Sequence, residues 1–496
     1  MTELRTVPGA EHAKGDVPSY GLFIGGEWCA GALPSRPNLN PANGALLAHV
    51  AQADAEDARS AVTAAHQAFE RVWGTSLASE RESVLIRAAD VVEHSAERFA
   101  GTLVAESGST FPKAMFEMMY SVDLLRSAAG NVRHVFGETL PDTQPGQFGM
   151  TIRRPLGVIG GIAPFNAPFL LAMKKVAHAL AAGNTFVLKP SEHTPMSGVM
   201  IAEVFEEAGL PPGVLNVVPG PAPEISQVLL EDPRVRMITF TGSTSVGRQL
   251  AIEAARNMKR ITLELGGKNS MIVLADADLD YAARAAAFGG FFHQGQVCMA
   301  TSRVLVEDPV YDEFCERLAS IAGGIPVGDP SDPAMVIGPL IRPEQCEKIA
   351  KHVEDARDKG ARVLTGGTAE GPFYQPTVVA DVTSEMSIHD EELFGPVIAV
   401  SRVKDAEEAL TVANESAYGL AAAVVTNDLQ KALSLSFRLR AGMVHVNDCT
   451  VADEPHVPFG GTKLSGMGRE GGLYSMQEMT ELKWITVQLG ERIFPL

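Results

Sequence analysis

A single cysteine, Cys298, follows a Gly-Gln turn in Gly295-Gln296-Val297-Cys298-Met299, at the end of an apolar, aromatic segment that begins near Tyr281. A thiol so placed can sit at the mouth of a buried tunnel while the turn leaves its backbone N–H free to donate, which suits a covalent nucleophile. A free cysteine is also among the most buried residue types and often only fills space, so its surroundings decide. Glu264 lies in Ile261-Thr262-Leu263-Glu264-Leu265-Gly266-Gly267, inside an otherwise apolar strand. A buried carboxylate needs a partner or a raised pKa, and a raised pKa makes a useful general base. Asn166 is a lone amide between Pro164 and Pro168. It can be held toward a developing oxyanion, or it can cap the helix expected from about Phe169; the residues alone leave both readings open.

Phosphate-handling patterns need separating from their lookalikes. Gly242-Ser243-Thr244-Ser245-Val246-Gly247 has the glycine spacing that opens a P-loop, but Arg248-Gln249 stands where Lys-Ser/Thr would grip phosphate and magnesium. A strand, a Gly-Ser-Thr turn and a helix still aim free N–H groups at an anion. Gly157-Val158-Ile159-Gly160-Gly161 misses the G-x-G-x-x-G spacing of the usual dinucleotide fingerprint. Lys189-Pro190-Ser191-Glu192 ends a candidate strand, where ligands dock in open α/β sheets and where a lysine and an acid can bracket a ribose diol.

The elements that must position these groups follow from periodicity. From Ala53 to about Arg133, apolar residues recur at helical spacing. From Gly157 to Glu264, short β-rich runs alternate with helices, the pattern of a parallel sheet covered on both faces. Strands are expected at 158–162, 185–188, 215–218, 237–241 and 261–265, with helices at 170–182, 198–208 and 246–255. A second α/β series follows Gly266-Gly267, with strands at 270–273, 302–306, 362–364 and 397–401. Gly25-Gly26 marks a hairpin turn, and Trp484 to Val487 an edge strand. Residues 1–20 are expected to form a flexible tail.

Composition bounds the rest. The 496 residues, 46% hydrophobic and 20% charged, describe a globular protein of two or three domains. A formal net charge of -19 argues against nonspecific nucleic-acid or anionic-membrane binding. The five cysteines, Cys29, Cys298, Cys315, Cys346 and Cys449, include no C-x-x-C pair, so neither a disulfide framework nor a metal site is expected. A reducing cytoplasm is the simplest setting. The most apolar run, 157–173, is broken by Pro164, Asn166 and Pro168 and is too short to span a bilayer.

Taken in order, Pro164-Phe165-Asn166, Gly183-Asn184, Lys189-Pro190-Ser191-Glu192, Phe240-Thr241-Gly242-Ser243, Leu263-Glu264-Leu265-Gly266-Gly267-Lys268, Gly295-Gln296-Val297-Cys298, Glu391-Glu392-Leu393-Phe394-Gly395-Pro396 and Pro458-Phe459-Gly460-Gly461 resemble the signatures of the aldehyde dehydrogenase superfamily. The resemblance runs from about Phe23 to the C-terminus. It implies an α/β fold with an NAD(P)-binding domain (21–135 and 155–265), a catalytic domain (266–479) and a small β oligomerisation element (136–154 and 480–496). It implies Cys298 as nucleophile, Glu264 as general base, Asn166 as oxyanion donor and Lys175 beside them. For NAD(P) it implies Lys189 and Glu192 at the adenosine ribose, Gly242 and Ser243 at the pyrophosphate, Glu392 and Phe394 at the nicotinamide end, and Ile162, Pro164, Ser191, Val246 and Leu265 as further cofactor-binding residues. Glu192 points to NAD over NADP, because a carboxylate accepts hydrogen bonds from a ribose diol and repels a 2′-phosphate.

There are departures from the family wording. Phe165 stands where Trp is frequent, and His293 where Asn is. His293 is read as a structural hydrogen-bonding group beneath the cysteine loop. His293 to Met299 together with Asn447 to Pro455 resemble the benzaldehyde, vanillin and salicylaldehyde branch, which implies an aromatic aldehyde as substrate and a homodimer or homotetramer. An aliphatic or semialdehyde enzyme is the alternative. Acidic substrates would call for a tunnel arginine, and none stands beside Cys298 or in 451–454, although Arg303 and Lys174 are near in sequence.

Overall fold

The computed structural model describes residues 17–495. Its first sheet has eight strands in the order Gly466–Met467, Arg260–Glu264, Val235–Thr241, Val158–Ile162, Thr185–Lys189, Leu215–Val217, Leu22–Ile24, Glu27–Cys29. The five from Arg260–Glu264 to Leu215–Val217 are mutually parallel, and the flanking strands are antiparallel. Val158–Ile162 and Thr185–Lys189 are buried at every position, as strands covered on both faces must be. Alternation sorts their side chains. Ile159, Phe186 and Leu188 enter one core with the helices Ala78–Ser107, Phe111–Asn131, Pro168–Ala181 and Pro195–Glu207. Val158, Val187 and Ile238 enter the other, with Ala55–Ala68 and Ala222–Glu231.

From Val158–Ile162 the chain builds two strands to one side, then returns to place Val235–Thr241 on the other. That reversal opens a crevice at the C-terminal ends of these strands, the usual ligand position in such sheets. The second sheet has seven strands in the order Arg362–Thr365, Thr377–Ala380, Val397–Val403, Thr301–Glu307, Asn269–Val273, Ala421–Val425, Met443–Val446. All pairs but the first are parallel. A third sheet joins Thr480–Gln488 to Gln147–Pro155 and Thr139–Leu140.

Two details differ from the sequence reading. The tail expected for 1–20 lies mostly outside the described residues, but Ser19–Tyr20 is a strand paired in parallel with His49 and Val50. Gly466–Met467 leaves the second α/β series and closes the edge of the first sheet against Leu263 and Glu264. The hairpin turn does fall at Gly25 and Gly26, both at positive φ (67° and 88°).

Candidate active site

Most of the residues expected around NAD(P) lie at the ends of first-sheet strands or in the turns that follow them. Ile162 ends its strand opposite Lys189, and the Ala163 N–H donates to the Lys189 carbonyl at 3.0 Å, fixing the turn that continues through Pro164. Lys189 Nζ lies 3.8 Å from Glu192 Oε1, and burial lowers its pKa to about 8. Burial alone would raise Glu192, but the Ala222 N–H at 3.0 Å, Lys189 and Arg36 at 2.9 Å hold it below the usual carboxylate range. Ser191 Oγ accepts from the His193 N–H at 3.2 Å. Across the crevice, Ser243 caps the helix Thr244–Arg256 by accepting from the Val246 N–H. That helix begins at the end of a parallel strand, so its free N–H groups suit a pyrophosphate. Gly242 donates to the Glu264 carbonyl at 3.0 Å. Gly247 packs so closely on Leu265 that a side chain there would collide with it. At the far end, Glu392 Oε1 accepts from the Gly267 N–H at 2.9 Å, and Phe394, at a φ of 54°, meets Phe165 edge-on at 5.8 Å between centroids. Lys189, Glu192 and a capped helix start at the ends of these strands, with Glu392 bonded to Gly267, are the group types that suit a ribose-bearing dinucleotide.

Cys298 follows the helix Leu279–Phe291 through a tight, strained passage. His293, Gln294 and Gly295 are consecutive left-handed residues (φ 48°, 56° and 67°), a conformation costing a non-glycine residue roughly 1 kcal/mol or more. Neighbouring segments hold it. Gln294 Nε2 donates to the carbonyls of Gly108 and Pro339 at 2.8 and 3.0 Å, and Gln296 Oε1 accepts from the Ile341 N–H at 3.1 Å. Asn269 Nδ2 donates to the carbonyls of Cys298 and Ala300, both at 2.9 Å. The Cys298 thiol pKa is pushed well above its ordinary value by burial, then by the carboxylates of Glu264, Glu392 and Asp453.

Glu264 is 3% exposed, and neither carboxylate oxygen has a hydrogen-bond partner. Burial first, then the charge of Glu470, raise its pKa well above the carboxylate range, against the opposing charges of Lys175, Lys174 and Arg469. Gly460 leaves room beside it: a side chain there would meet Glu264 Oε1 at 2.8 Å.

Asn166 does not cap the helix Pro168–Ala181. The N-cap position is Ala167, without a side-chain cap, and the first amides are taken by Glu117 Oε1, which accepts from Phe169 and Leu170 at 2.9 and 3.0 Å. The Asn166 amide is thus not committed to the helix. His293, expected to hydrogen-bond beneath the cysteine loop, faces the Asn166 backbone, which favours its protonated form, although neither ring nitrogen makes a well-formed hydrogen bond. Burial, then the nearby Lys113 charge, lower its pKa well below the ordinary imidazole value.

Lys175 is fully buried and pairs with Glu470 Oε1, while also donating to Thr239 Oγ1 at 3.1 Å. Lys174 pairs with Asp453 at 2.7 Å and stands 4.3 Å over the Phe459 ring. Arg303 lies in the second sheet, donating to Ser270 Oγ at 3.0 Å. The sequence reading missed Asn269, Glu470, Glu117 and Lys113. Its one available signal was the pair Lys174-Lys175 in an apolar helix, which has to find anionic partners somewhere.

A dinucleotide crevice beside a cysteine and an unpaired carboxylate defines a cysteine-based oxidoreductase. The aldehyde dehydrogenase family model matches residues 28–485, and the chain belongs to that family. It is 42% identical to a vanillin dehydrogenase of Pseudomonas fluorescens, over 97% of this chain and 100% of that one. It is 41% identical to a benzaldehyde dehydrogenase [NAD(+)] of Pseudomonas putida, over 94% and 96%. Among solved structures, a salicylaldehyde dehydrogenase from Pseudomonas putida G7, complexed with salicylaldehyde, superposes with a TM-score of 0.95 at 39% identity, covering 96% of this chain and 100% of that one.

Proposed function

We propose that this chain oxidises an aromatic aldehyde to its carboxylic acid with NAD, through a thioester on Cys298. The observation that carries this reading is the buried Glu264 carboxylate with both oxygens free, the largest charge effect on the Cys298 thiol. Because the thiol pKa is raised, Cys298 gives up its proton to solvent water as the sulfur attacks the aldehyde carbon, and the carbonyl π pair moves onto oxygen. The new oxyanion accepts from the Asn166 amide and the Cys298 N–H. When the oxyanion collapses, the former aldehyde carbon gives up a hydride, for which a nicotinamide held at Glu392 and Phe394 would supply the acceptor. Glu264 then takes a proton from water, and the hydroxide adds to the thioester carbon. Collapse of that second oxyanion expels the Cys298 thiolate and releases the acid. Lys189, Ser191, Glu192, Gly242, Ser243, Glu392 and Phe394 would hold NAD, with Ile162, Pro164, Val246 and Leu265 also among its contacts. Lys175 offsets the charge of Glu470 and so tempers the rise in the Glu264 pKa.

The aromatic substrate is supported by the relatives' named aldehydes and by the charges near the thiol. Lys174 is neutralised by Asp453 and rests on Phe459, so it offers no spare cation to the carboxylate of a semialdehyde. A panel of benzaldehyde, vanillin, salicylaldehyde, an aliphatic aldehyde and succinic semialdehyde, followed by NADH absorbance, tests this. The aromatic members should have the highest kcat/KM, and a preference for the semialdehyde would overturn the assignment. We further propose a cytoplasmic homodimer or homotetramer built on 136–154 and 480–496. All five cysteines are unpaired, and the edge strand Thr480–Gln488 exposes Leu482, Trp484 and Val487. Among the described residues, no helix is long and apolar enough to cross a membrane.

A further inference from the structure

The helix Phe111–Asn131 carries a buried ion pair that faces the loop of Asn166. Lys113 Nζ donates to Glu117 Oε2 at 2.6 Å and to the Asn166 carbonyl at 2.8 Å. The lysine and glutamate side chains are 5% and 1% exposed. The other Glu117 oxygen accepts from the Phe169 and Leu170 N–H groups. One side-chain pair therefore holds the Asn166 residue from both directions: its carbonyl through Lys113, and the start of the helix that follows it through Glu117.

A buried ion pair is expensive to assemble, and apolar residues of similar volume are often as stable. Its position here accounts for its presence. Neither the Asn166 carbonyl nor the first amides of Pro168–Ala181 have a local partner, since Ala167 brings no capping side chain. With the backbone on both sides of Asn166 pinned, its amide is left to point elsewhere. The same lysine lies near the His293 ring, at the start of the left-handed passage into Cys298. We propose that Lys113 and Glu117 are positioning residues for the oxyanion hole, setting the direction of the Asn166 amide relative to Cys298. The inference rests on the oxyanion role of Asn166 given above. Removing an oxyanion donor costs about 10²- to 10³-fold, so misaiming one should cost somewhat less.

The test is a double-mutant cycle between Lys113→Met and Asn166→Ala, read as the rate of the first NADH burst with benzaldehyde. NAD dissociation constants from quenching of protein fluorescence provide a second readout. Alone, Lys113→Met should slow the burst by about 10- to 100-fold and leave NAD affinity and KM within about threefold. In the Asn166→Ala background, Lys113→Met should add little, because the amide it aims is gone. Glu117→Gln, which keeps an acceptor for Phe169 and Leu170, should lose less than Lys113→Met. If Lys113→Met does not fold, the paired replacement Lys113→Met with Glu117→Leu leaves no lone buried charge and takes its place in the cycle. An equal fold-loss in both backgrounds, or an undiminished burst in Lys113→Met, overturns the inference while leaving the oxyanion hole intact. An Asn166→Ala enzyme with a normal burst overturns the oxyanion reading itself, and the inference with it.

Discussion

Two buried glutamates, Glu106 on a helix and Glu264 on a strand of the first sheet, behave in opposite ways. Glu106, at the end of the helix Ala78–Ser107, is fully buried and fully engaged. It accepts from Asn38 Nδ2 at 2.7 Å, from the Met196 N–H at 2.6 Å, and from the N–H and hydroxyl of Ser197 at 3.2 and 2.9 Å. It ties a strand and the start of the helix Pro195–Glu207 to its own helix. Glu264 is also buried, at 3% exposed, and its carboxylate makes no hydrogen bond. Desolvation raises both pKa values, to about 7 for Glu106, whose hydrogen bonds pull it back, and well above the ordinary range for Glu264. A carboxylate that has been buried and satisfied holds structure. One buried without partners is held in a costly state, and a reactive site is where that cost is kept.

The contrast can be broken at several points. The largest effect should come from Cys298→Ala, which should remove measurable dehydrogenase turnover while NAD still binds. The same change at Cys29, Cys315, Cys346 or Cys449 should leave turnover within a few-fold, as steady-state assays of all five variants would establish. Next, the two glutamates should respond with different signs to amide replacement. Glu106→Gln replaces an acceptor with a donor among four donors and should cost roughly 1–3 kcal/mol. Glu264→Gln loses no hydrogen bond and should leave the thermal midpoint unchanged or raised. Linkage sharpens this further. A carboxyl whose folded pKa is raised favours folding most when protonated. Stability should therefore fall as pH rises from the unfolded value near 4.3 through about 7, by on the order of 3 kcal/mol from Glu106. Denaturant melts across that window should show a slope that Glu106→Gln flattens.

A smaller effect concerns the thiol. Because burial and then Glu264 raise the Cys298 pKa, its alkylation by iodoacetamide should inflect above the unperturbed value of about 8.5. In Glu264→Gln the inflection should move down. An inflection at or below the unperturbed value in the unaltered enzyme would contradict the site's electrostatics. The smallest effect should be on cofactor choice. Glu192 repels a 2′-phosphate but is itself half-neutralised by Arg36. Glu192→Gln should therefore weaken the NAD preference by about fivefold or less, the most a partly exposed pair usually contributes, as kcat/KM with each cofactor will reveal.

Much of this was legible in the sequence because it is local. The strand Val158–Ile162 appears at its expected bounds, and the other expected cofactor strands fall within two residues of theirs. Their buried runs end at glycine, proline or polar turns. Cys298, Glu264 and Asn166 stood out because each is a polar or reactive group in an apolar or stiffened setting. The strands Thr377–Ala380, Ala421–Val425 and Met443–Val446 were missed. Short apolar runs such as Ala421–Val425 read equally well as buried helix. The partners of the buried lysines were illegible for a different reason. Lys174 meets Asp453 279 residues away, and Lys175 meets Glu470 295 residues away. No spacing rule connects such positions. The role of Glu117 was hidden likewise, since a cap supplied from another helix leaves no mark at the helix it caps.

The central claim is that Glu264 is free because it must activate water at the Cys298 thioester. Stopped-flow NADH appearance with benzaldehyde in Glu264→Gln, with intact-protein mass spectrometry of the quenched enzyme, tests it most directly. The account predicts a burst approaching one NADH per active site, slow turnover afterwards, and a benzoyl adduct that disappears when Cys298 is also replaced. Steady turnover at the unaltered rate with no trapped adduct would contradict it.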